Sequence, residues 1–568
     1  MADWAVATTL SHAWVRAVAD RGDHPFLVFE RPDGAVNSSR VTGAGGTPPV
    51  LRAVKRSGAA QRQETQSWTY SEFDAVVSRV AQFLVSHGVV PGSSVHLALT
   101  NSPTFVAVWL ATLGLRAWIV PSDPMGTSAG LRVHINRTSP VIGLCSDTRA
   151  EVYRSAAAGS TVATIVEIDE SDCTLDVFGH ELLSDWPSAE LLDRAAVMFT
   201  SGTTGAPKGV EITQANYAFA GASMAAAASL VSDDRQLVVL PLFHANAQYY
   251  SFASAIWAGA SVALMPTFSA SGFLAQAARH RATHASLFAA PIRMILARGA
   301  TPVEGVALTH CWYAMNISDD QHELLSSLLG CRPRQLYGMT ETIPAVLTDS
   351  ADRPVPSSMG FVTTGCEVEI HDGAGVRVPL DTVGEIVVRG TPGVTLFAGY
   401  LDDPATTNAS FRNGWFLTGD RARCDVDGRV FFDGRRSDVL KVAGENVSTV
   451  EVEQVLCSHP GVLEAAVVGQ PDEVRDEVPV GFVVLADVAH PPSVDDLHAW
   501  CAERLTKAKR PRDITFVDEL PRTSVGKIRK FLLRDPNAET TPTITSVQSI
   551  PTESNAAESA VSQEVTAP

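Results

Sequence analysis

The sequence predicts a protein of mixed α/β and α+β class, with a large N-terminal region of stacked α/β layers, a small β-barrel and a small C-terminal α+β domain. Its length of 568 residues, with 45% hydrophobic and 19% charged residues, is sufficient for several buried cores. Strand–helix–strand units recur in the first part of the chain, which is typical of a parallel sheet covered by helices. After about residue 360 short alternating strands with Gly and Asp turns follow, and these indicate an antiparallel barrel.

The spacing of hydrophobic residues predicts the first elements in order. Residues 31–66 are rich in Gly, Ser, Arg and Gln, and we expect a surface loop or an insertion between two strands there. Residues 71–87 have apolar side chains at helical spacing. A strand at 95–99, a buried helix at 105–115 and a strand at 117–121 then predict a parallel α/β layer. Similar units follow near 141–167, 236–265 and 283–312.

These patterns divide the chain into an N-terminal core at 1–436 and a C-terminal α+β domain at 437–535. The core includes the small β-barrel at about 360–434. The tail at 536–568 is rich in Thr, Ser, Pro, Ala and Glu and has no basic residue, so we expect it to be disordered.

Charge and cysteine content exclude some classes of function. With 44 Lys and Arg against 62 Asp and Glu, the net charge of −18 argues against a general nucleic-acid binder but allows a local phosphate pocket. The eight cysteines lack metal-ligand spacing, so we expect reduced thiols and no zinc site. The N-terminus is a poor signal peptide, and polar residues interrupt the apolar stretch at 236–278. We therefore expect a cytoplasmic protein without a membrane span.

The most informative segment is a Gly- and hydroxyl-rich loop that follows a short apolar strand. Glycines allow the backbone N–H groups to approach phosphates closely, hydroxyls add donors, and a lysine adds a point charge. It is not a P-loop, because Pro207 precedes the lysine and Gly209 follows it. A flexible surface loop is the alternative. The candidate phosphate-binding residues are Thr200, Ser201, Gly202, Thr203, Thr204, Gly205 and Lys208.

The order S-G-T-T-G-x-P-K-G in this loop resembles the signature of adenylate-forming enzymes, which comprise acyl-CoA synthetases, adenylation domains of peptide synthetases and luciferases. The downstream segment Y-G-M-T-E also resembles a box of this family. The resemblance implies that Tyr337 packs on the adenine, that Thr340 meets the phosphates, and that Glu341 helps to hold Mg²⁺. A carboxylate beside phosphates is reasonable only with a metal ion between them. Gly338 also belongs to the candidate nucleotide-binding residues.

Four further segments, which contain Asp420, Arg435, Lys441 and Lys527, resemble family boxes of the nucleotide site and of a mobile lid domain. The resemblance implies that Asp420 and Arg435 bind the ribose hydroxyls and that Ser437 is the hinge. Lys441, Gly444 and Glu445 correspond to the loop along the coenzyme A tunnel. The C-terminal P-R-x-x-x-G-K implies that Lys527 is the catalytic lysine, which spans the substrate carboxylate and the α-phosphate.

The branch of the family is indicated by the sequence L-P-L-F-H at 240–244, which resembles a box of acyl- and aryl-CoA ligases. It implies that His244, with Thr200, Glu341 and Lys527, belongs to the catalytic residues. An ordinary core or capping histidine is the alternative. The segments Y-G-M-T-E-T-I and G-E-N-V-S and the R-D-E triad at 475–477 resemble the carnitine and crotonobetaine CoA ligases. A fainter likeness is to CoA ligases of actinobacterial diterpenoid pathways of the platensimycin and platencin type. The candidate acyl-pocket residues are Ala245, Asn246, Ala247, Gln248, Ala314, Met315 and Asn316.

Two departures from the family pattern keep alternatives open. Many relatives have a glycine-rich turn where this chain has Met315 and Asn316, and the hinge has Ser437 in place of Asp or Lys. The adenylation step could therefore be weakened or lost, which leaves an enzyme that passes a preformed acyl-adenylate from a separate adenylating partner enzyme to coenzyme A. A luciferase-like member and a nucleotide-binding scaffold without catalysis are further alternatives.

We therefore predict an ATP-dependent acid–thiol ligase of the AMP-forming class, which uses ATP, or a preformed acyl-AMP, with Mg²⁺ and coenzyme A. The candidate pocket contains no cationic residue that suits a second carboxylate, so we expect a neutral, bulky or lipid-like acid. Its partners are these small molecules, with no nucleic acid and no membrane span, and a homodimer stays open.

Overall fold

The computed structural model describes residues 8–31, 40–43, 65–200, 207–351, 354–435, 439–442, 445–472, 475–486, 491–522 and 528–534. Several predicted features lie outside these residues: Ser201, Gly202, Thr203, Thr204, Gly205, Ser437, Gly444, Lys527 and the tail at 536–568.

The helices alternate with strands through most of the chain, as the hydrophobic pattern predicts. The α-helices are α1 (Leu10–Arg21), α2 (Tyr70–Ser86), α3 (Pro103–Gly114), α4 (Ser128–Thr138), α5 (Ala150–Ala157), α6 (Gln214–Ala228), α7 (Ser254–Ala258), α8 (Phe273–Arg279), α9 (Ala289–Ala297), α10 (Asp319–Leu329), α11 (Pro404–Ala409), α12 (Thr449–Cys457), α13 (Val494–Arg504) and α14 (Phe531–Arg534). Two 3₁₀ turns lie at Asp147–Arg149 and Asp176–Phe178, and a π-helix at Asn246–Ala253.

The strands of the described residues, in chain order, are β1 (Pro25–Glu30), β2 (Arg40–Gly43), β3 (Thr65–Thr69), β4 (Ser94–Ala98), β5 (Trp118–Pro121), β6 (Ile142–Ser146), β7 (Thr164–Ile168), β8 (Arg194–Thr200), β9 (Lys208–Thr213), β10 (Arg235–Val238), β11 (Ser261–Leu264), β12 (His284–Phe288), β13 (His310–Ala314), β14 (Arg334–Tyr337), β15 (Leu347–Thr348), β16 (Phe361–Val362), β17 (Glu367–His371), β18 (Gly384–Arg389), β19 (Gly399–Tyr400), β20 (Phe411–Arg412), β21 (Trp415–Cys424), β22 (Val430–Arg435), β23 (Val439–Val442), β24 (Glu445–Ser448), β25 (Val462–Asp472), β26 (Asp476–Leu485) and β27 (Asp513–Phe516).

Two large sheets form the predicted α/β layers. The first has nine strands in the order β16-β15-β14-β13-β12-β10-β11-β1-β3, and the neighbours from β1 through β11, β10, β12 and β13 to β14 are all parallel. The second has eight strands in the order β19-β9-β8-β5-β4-β6-β7-β2, in which the neighbours from β8 through β5, β4 and β6 to β7 are parallel and β9 is antiparallel to β8. Parallel strands of this kind need crossover helices, which the chain supplies between them.

Local sequence explains where the helices between these strands begin. Thr69 caps α2 and accepts a hydrogen bond from the Glu72 backbone, while the Glu72 side chain accepts from the Thr69 N–H, a reciprocal capping box. Ser102 caps α3, and Pro103 takes the first helical position, where the N–H group that proline lacks is not needed. Every residue of α3 from Pro103 to Leu113 is buried, which explains why this helix is apolar on all faces.

One stretch differs from the expectation of a plain loop. Within 31–66, residues 40–43 form β2, which pairs antiparallel with β7 at the edge of the eight-stranded sheet, and β3 begins at Thr65. The β-branched residues Val41 and Thr42 favour an extended strand, but a four-residue strand between polar stretches has too short a pattern to be recognised.

The segment predicted as a small β-barrel forms a five-stranded antiparallel sheet. Its order is β17-β18-β21-β20, with β22 also paired to β21. The β21 strand has a bulge between Asp420 and Ala422, and Gly419 has a φ of +75°, a conformation that glycine adopts without steric cost. This bulge lies directly beside a predicted ribose-binding carboxylate.

The chain divides into two compact units, and the second begins at Leu440. In this unit β24-β23-β26-β25 form a sheet, with β27 parallel to β26. The core of the unit contains Leu440, Val452 and Leu456, with apolar residues of β25 and β26. A separate C-terminal α+β domain is therefore present, as predicted, while its limits at 437–535 stay a prediction.

The described residues contain no helix that is both long and apolar enough to cross a membrane. The stretch at 236–278, the strongest membrane candidate by composition, instead contains β10, a π-helix, α7, β11 and the start of α8. Most of its side chains are buried, and Thr267 and Ser271 are exposed.

Candidate active site

Three predicted site segments lie at the carboxyl ends of parallel strands in the nine-stranded sheet. The segment 240–244 follows β10, the turn at 314–316 ends β13, and the segment 337–341 ends β14. The carboxyl ends of parallel strands meet at one edge of a sheet, which is where open α/β sheets bind ligands. The topology thus gathers segments that are about 100 residues apart in the chain.

The predicted phosphate loop is held between two paired strands of the eight-stranded sheet. Thr200, the last residue of β8, pairs with Lys208, the first residue of β9. The strand β19 pairs with the other side of β9, where Tyr400 lies opposite Val210. The Lys208 Nζ lies 4.7 Å from the centre of the Tyr400 ring, which is a cation–π distance.

Tyr400 also contacts the carboxylate that is predicted to hold the metal ion. Its hydroxyl donates a hydrogen bond of 3.1 Å to the Glu341 Oε1, and Glu341 is only 4% exposed. Burial, followed by the charge of Glu341, raises the pKa of Tyr400 far above its ordinary value, so the hydroxyl remains a donor. Lys208, Tyr400 and Glu341 therefore form one contact chain, which we call the phosphate-end cluster.

Tyr400 was not among the residues that the sequence indicated. It lies in a strand of two residues, which shows no hydrophobic period, and no family segment quoted from the sequence includes it. Its proximity to Glu341 arises from the pairing of β19 with β9, a contact that no local pattern reports.

A second group, the ribose-end cluster, joins Tyr337, Asp420 and Arg435. The Tyr337 hydroxyl donates a hydrogen bond of 2.7 Å to the Asp420 Oδ2, and the Arg435 Nε lies 3.0 Å from the Asp420 Oδ1. Asp420 and Arg435 face each other in the register of β21 and β22. Burial, and then the Asp420 charge, raise the pKa of Tyr337 well above its ordinary value. The predicted adenine ring contact and the predicted ribose carboxylate are therefore fixed to each other.

Gly338 has no room for a side chain. A Cβ there would lie 2.9 Å from the Ala345 Cα, 3.0 Å from the Pro344 O and 3.0 Å from the Tyr250 hydroxyl oxygen. The Ala345 Cα and the Pro344 O are backbone atoms, so a change of side-chain rotamer cannot move them away. The glycine in the Y-G-M-T-E segment is thus required by close packing of the turn, and Thr340 lies half-buried in the same turn.

The first half of the candidate acyl pocket is a π-helix. Asn246, Ala247 and Gln248 begin it and are buried, while His244 and Ala245 before it are half-buried. The Gln248 side chain is held at both ends, because its Nε2 donates to the Leu242 O at 2.6 Å and its Oε1 accepts from the Tyr217 hydroxyl. Its amide therefore braces the pocket wall. Single π-turns inserted in helices are frequent at functional sites.

The second half of the pocket is the turn after β13. Met315 has a φ of +72°, a left-handed conformation that costs an ordinary side chain about 1–2 kcal/mol, and it is 40% exposed. The Asn316 side-chain amide lies 2.8 Å from that of Gln335. The backbone here takes the shape that a glycine would take without strain, although the side chain is methionine.

A cation lies closer to this turn than the sequence suggested. The Arg293 guanidinium, on α9, donates a hydrogen bond of 3.1 Å to the Asn316 backbone O. The candidate pocket residues themselves include no cation, and Arg293 is a neighbour of the turn that the sequence did not indicate. The sequence did not indicate Arg293, because it lies 23 residues before Asn316 and outside every segment that resembles a family motif.

In the second unit only part of the predicted coenzyme A loop is described. The Lys441 side chain is exposed, and its backbone N–H donates a hydrogen bond of 3.0 Å to the Glu477 Oε2. Glu445 begins β24. Gly444, Ser437 and Lys527 lie outside the described residues, so their roles stay predictions.

The described residues contain no group of three or more His, Cys, Asp or Glu side chains that could hold a metal ion by themselves. Mg²⁺ is usually bound by one or two carboxylates together with substrate phosphates and water. A single buried carboxylate, Glu341, held by Tyr400 and linked through it to Lys208, fits such a site. No thiol or histidine cluster is needed for it.

The chain is similar to known proteins over most of its length. Residues 42–401 match the family of AMP-binding enzymes, and residues 451–527 match the C-terminal domain of AMP-binding enzymes. A crotonobetaine/carnitine–CoA ligase of Proteus mirabilis (strain HI4320) is 31% identical over 482 residues, which cover 82% of this chain and 93% of the relative.

Solved structures share the fold. The o-succinylbenzoate CoA synthetase of Bacillus subtilis, in complex with its acyl-adenylate intermediate, matches with a TM-score of 0.76 at 25% identity, covering 92% of this chain and 98% of that one. A benzoate CoA ligase from Burkholderia xenovorans LB400 matches with a TM-score of 0.79 at 24% identity, covering 93% and 100% of the two chains.

Proposed function

The chain belongs to the family of AMP-binding enzymes, and from that premise we propose that it is an acyl-CoA ligase for a neutral, bulky or lipid-like carboxylic acid, acting through an acyl-adenylate. The predicted adenylate-forming fold, the likeness to carnitine and crotonobetaine CoA ligases, and the prediction of an ATP-dependent, AMP-forming acid–thiol ligase are confirmed by these relatives. The observation that carries the proposed adenylate step is the pair of contact clusters around Tyr400 and Asp420.

In the first step, the substrate carboxylate attacks the α-phosphorus of ATP and pyrophosphate leaves. The ribose-end cluster would bind the two ribose hydroxyls, because a carboxylate such as Asp420 can accept from both at once. The phosphate-end cluster and the loop after Thr200 would bind the phosphates. Glu341 would hold Mg²⁺, which neutralises charge on the phosphate oxygens when it is bound. Lys527 would stabilise the charge that develops at the reacting oxygen.

In the second step, the coenzyme A thiol attacks the carbonyl carbon of the adenylate, and AMP leaves. We assign the approach of the thiol to Lys441, Gly444 and Glu445, after a rotation of the small domain about Ser437. His244 would gate the passage between the acyl pocket and the thiol. Most of the rate gain in such a step comes from alignment of two bound reactants.

The acid class rests on the pocket walls. Gln248 is engaged with protein groups at both ends, and the remaining candidate wall residues are mostly small or apolar. Arg293 donates to a backbone oxygen of the turn, an engagement that favours a structural role over recognition of a second carboxylate. These features support a neutral acid. Because Arg293 lies beside the turn, dicarboxylic acids are the class to compare with neutral acids in an assay.

A second candidate function is thioester formation from a preformed acyl-adenylate alone. The specific observation in its favour is Met315, which keeps a bulky side chain at a left-handed position where glycine would fit without strain. Against it, the five charged residues of a complete site, Lys208, Glu341, Asp420, Arg435 and Lys527, are all present in the sequence. We therefore favour the complete two-step enzyme.

One assay separates the candidates. A panel of neutral long-chain, branched and polycyclic acids is tested, beside dicarboxylic acids, for pyrophosphate release with Mg·ATP and no coenzyme A, and then for thioester formation. Acid-dependent pyrophosphate release followed by thioester formation is expected. Thioester formation from a synthetic acyl-adenylate, without any pyrophosphate release, would instead establish the second candidate. Light emission with a luciferin would indicate the luciferase-like alternative.

Lys527→Ala tests whether the protein is an enzyme or a nucleotide-binding scaffold. We expect pyrophosphate release to fall at least about 100-fold, because a charge at the reacting oxygen is lost. Thioester formation from a supplied acyl-adenylate should change much less. The control is Lys507→Ala, which removes an exposed lysine of the same domain. Unchanged ATP-dependent thioester formation in Lys527→Ala would show that the assigned role is wrong.

A further inference from the structure

The helix α4 contacts two of the three backbone segments that carry the phosphate-end cluster. Its Arg137 donates one hydrogen bond of 2.6 Å from Nη1 to the Pro207 O and another of 3.0 Å from Nη2 to the Leu401 O. Pro207 directly precedes Lys208, and Leu401 directly follows Tyr400. One guanidinium thus joins the two chain segments from which the lysine and the tyrosine project.

The two hydrogen bonds of Arg137 link the segments of β9 and β19, which pair with each other over only two residues of β19. The Leu401 N–H donates 2.8 Å to the Gly209 O, and β19 contributes only Gly399 and Tyr400 to the sheet. A strand of two residues has few ladder hydrogen bonds to hold it in register. A planar guanidinium with two donors aimed at two carbonyls adds a fixed distance between the segments, which a flexible ammonium group does not supply.

The same helix also supports the strand that leads into the phosphate loop. The His134 ring stacks on the Phe199 ring at 4.0 Å with an interplanar angle of 4°, and the Arg137 guanidinium carbon lies 5.3 Å from the centre of that ring. The Ser122 hydroxyl fixes the His134 ring through its Nδ1 at 2.8 Å. Burial, and then the charge of Arg137, lower the pKa of His134 to about 4, so the ring is uncharged near neutral pH.

The contacts beyond Tyr400 extend this influence to the metal side of the site. The Tyr400 hydroxyl donates to Glu341, and its ring lies under the Lys208 ammonium. If the backbone after Tyr400 shifts, both contacts are strained together. The residue that fixes this backbone to the segment before Lys208 therefore sets the relative position of a cation and a carboxylate at the phosphate end.

We infer that Arg137 is a positioning residue for the triphosphate: by joining the Pro207 and Leu401 carbonyls it holds Lys208, Tyr400 and Glu341 in the geometry that receives the β- and γ-phosphates. The inference rests on the proposed function. It assigns no contact between Arg137 and the nucleotide. It requires that loss of Arg137 weakens recognition of the β- and γ-phosphates selectively and leaves the ribose-end cluster intact.

The test compares binding of two nucleotides, so it needs no knowledge of the acid. The dissociation constants of Mg·ATP and of AMP are measured by calorimetry for the wild type, Arg137→Ala, Arg137→Lys and the control Arg132→Ala. Arg132 is an exposed residue of the same helix, and its guanidinium contacts the Ser155 O. Thermal melting without nucleotide checks that each variant is folded.

For Arg137→Ala we expect about tenfold weaker Mg·ATP binding, the equivalent of one or two lost hydrogen bonds, with AMP binding within about twofold of wild type. Arg137→Lys should recover only part of the loss, because an ammonium group cannot reach both carbonyls in one plane. Arg132→Ala should bind both nucleotides as the wild type does. Equal weakening of ATP and AMP, or no weakening of either, would overturn the inference.

The two proposals fail in different ways. If the wild type binds Mg·ATP but forms no thioester with any acid of the panel, the proposed function fails while the ATP-to-AMP comparison still decides the role of Arg137. If the wild type binds no Mg·ATP, both are overturned. A complete enzyme gives a second readout, since Arg137→Ala should raise the KM for Mg·ATP and leave the rate of thioester formation from a supplied acyl-adenylate within about twofold of wild type.

Discussion

At the scale of single residues, Tyr400 is the point where the positive and negative groups of the phosphate end meet. Its ring faces the Lys208 ammonium and its hydroxyl donates to Glu341. A tyrosine suits this position because it offers an aromatic face and a polar edge in one rigid side chain. Its raised pKa, caused first by burial, keeps the hydroxyl protonated and able to donate.

Tyr400→Phe and Tyr400→Leu separate the two contacts. The phenylalanine keeps the ring under Lys208 and loses the hydrogen bond to Glu341, so we expect a KM for Mg·ATP raised about fivefold and a higher Mg²⁺ requirement. The leucine loses both contacts and should be worse by a further few-fold. Steady-state kinetics over a range of Mg²⁺ concentrations measures both effects. Wild-type behaviour of Tyr400→Phe would show that the hydroxyl does not orient the carboxylate.

Met315 gives a prediction about stability that depends on backbone conformation alone. Because its φ is +72°, an alanine keeps the steric cost of a Cβ, whereas a glycine removes that cost. We expect Met315→Gly to be more stable than Met315→Ala by about 1 kcal/mol in urea unfolding, the reverse of the usual order. The glycine variant should also accept bulkier acids. An alanine variant of greater stability would contradict the left-handed turn.

At the scale of elements, a line of buried hydrogen bonds ties helices to the parallel strands beneath them. The Tyr153 hydroxyl, on α5, lies 2.9 Å from the His96 Nδ1 on β4, and the His96 Nε2 lies 3.0 Å from the Ser122 hydroxyl after β5. Ser122 in turn contacts His134 on α4. The support for the phosphate-loop strand is thus anchored inside the eight-stranded sheet. Burial lowers the pKa of both histidines in this line.

This line predicts a loss of stability in acid. Burial lowers the pKa of His96 to about 3 and that of His134 to about 4, against about 6.5 in the unfolded chain, so the unfolded state binds more protons below pH 6.5. Stability is complete above about pH 6.5 and falls as the pH drops toward 4. Between pH 7 and pH 5 the free energy of unfolding should fall by about 2 kcal/mol for each of the two buried histidines.

His134→Gln isolates one of these two contributions. The glutamine cannot titrate. Between pH 7 and pH 5, the free energy of unfolding measured in urea should therefore fall by about 2 kcal/mol less for this variant than for the wild type. The control is His180→Gln, which replaces an exposed histidine of the same unit. If wild type and His134→Gln respond to pH alike, His134 is not held neutral in the fold.

At the scale of the whole molecule, the protein has two compact units with separate cores, and its ligands are strongly anionic although its net charge is −18. The cations therefore have to be placed singly: Lys208 on the phosphate loop and Arg435 beside Asp420 in the first unit, and Lys441 in the second. We propose that these placed cations, and not the net charge of the protein, meet the anionic ligands.

The proposed alternation of the small domain predicts different effects on the two half-reactions. Ser437→Pro fixes φ near −65° at the proposed hinge, so one orientation should be lost. We expect pyrophosphate release to stay within about twofold of wild type and thioester formation from a supplied acyl-adenylate to fall at least about tenfold. Ser437→Ala, which keeps backbone freedom, is the control. An equal fall of both half-reactions would exclude a hinge role for this residue.

Much of the architecture was predictable, because the elements that match the sequence-based expectations carry local patterns. The helix α2, the buried helix α3 and the strands beside them follow from hydrophobic period and capping residues. The strands β2 and β19 did not follow, because strands of four and two residues have no period to detect. The bulge beside Gly419 also did not follow, because only the pairing of β21 with β22 reveals it.

The sequence by itself determined the family, the order of the site segments and the residues that carry charge, because each of these is written in short contiguous motifs. Only the tertiary structure decided that Tyr400 faces Glu341, that Met315 takes a left-handed turn and that Arg293 lies beside it. It alone joined Arg137 to Leu401, 264 residues away. The physical reason is that such contacts depend on which strands pair and which helix packs over them, and no local spacing of residues records that choice.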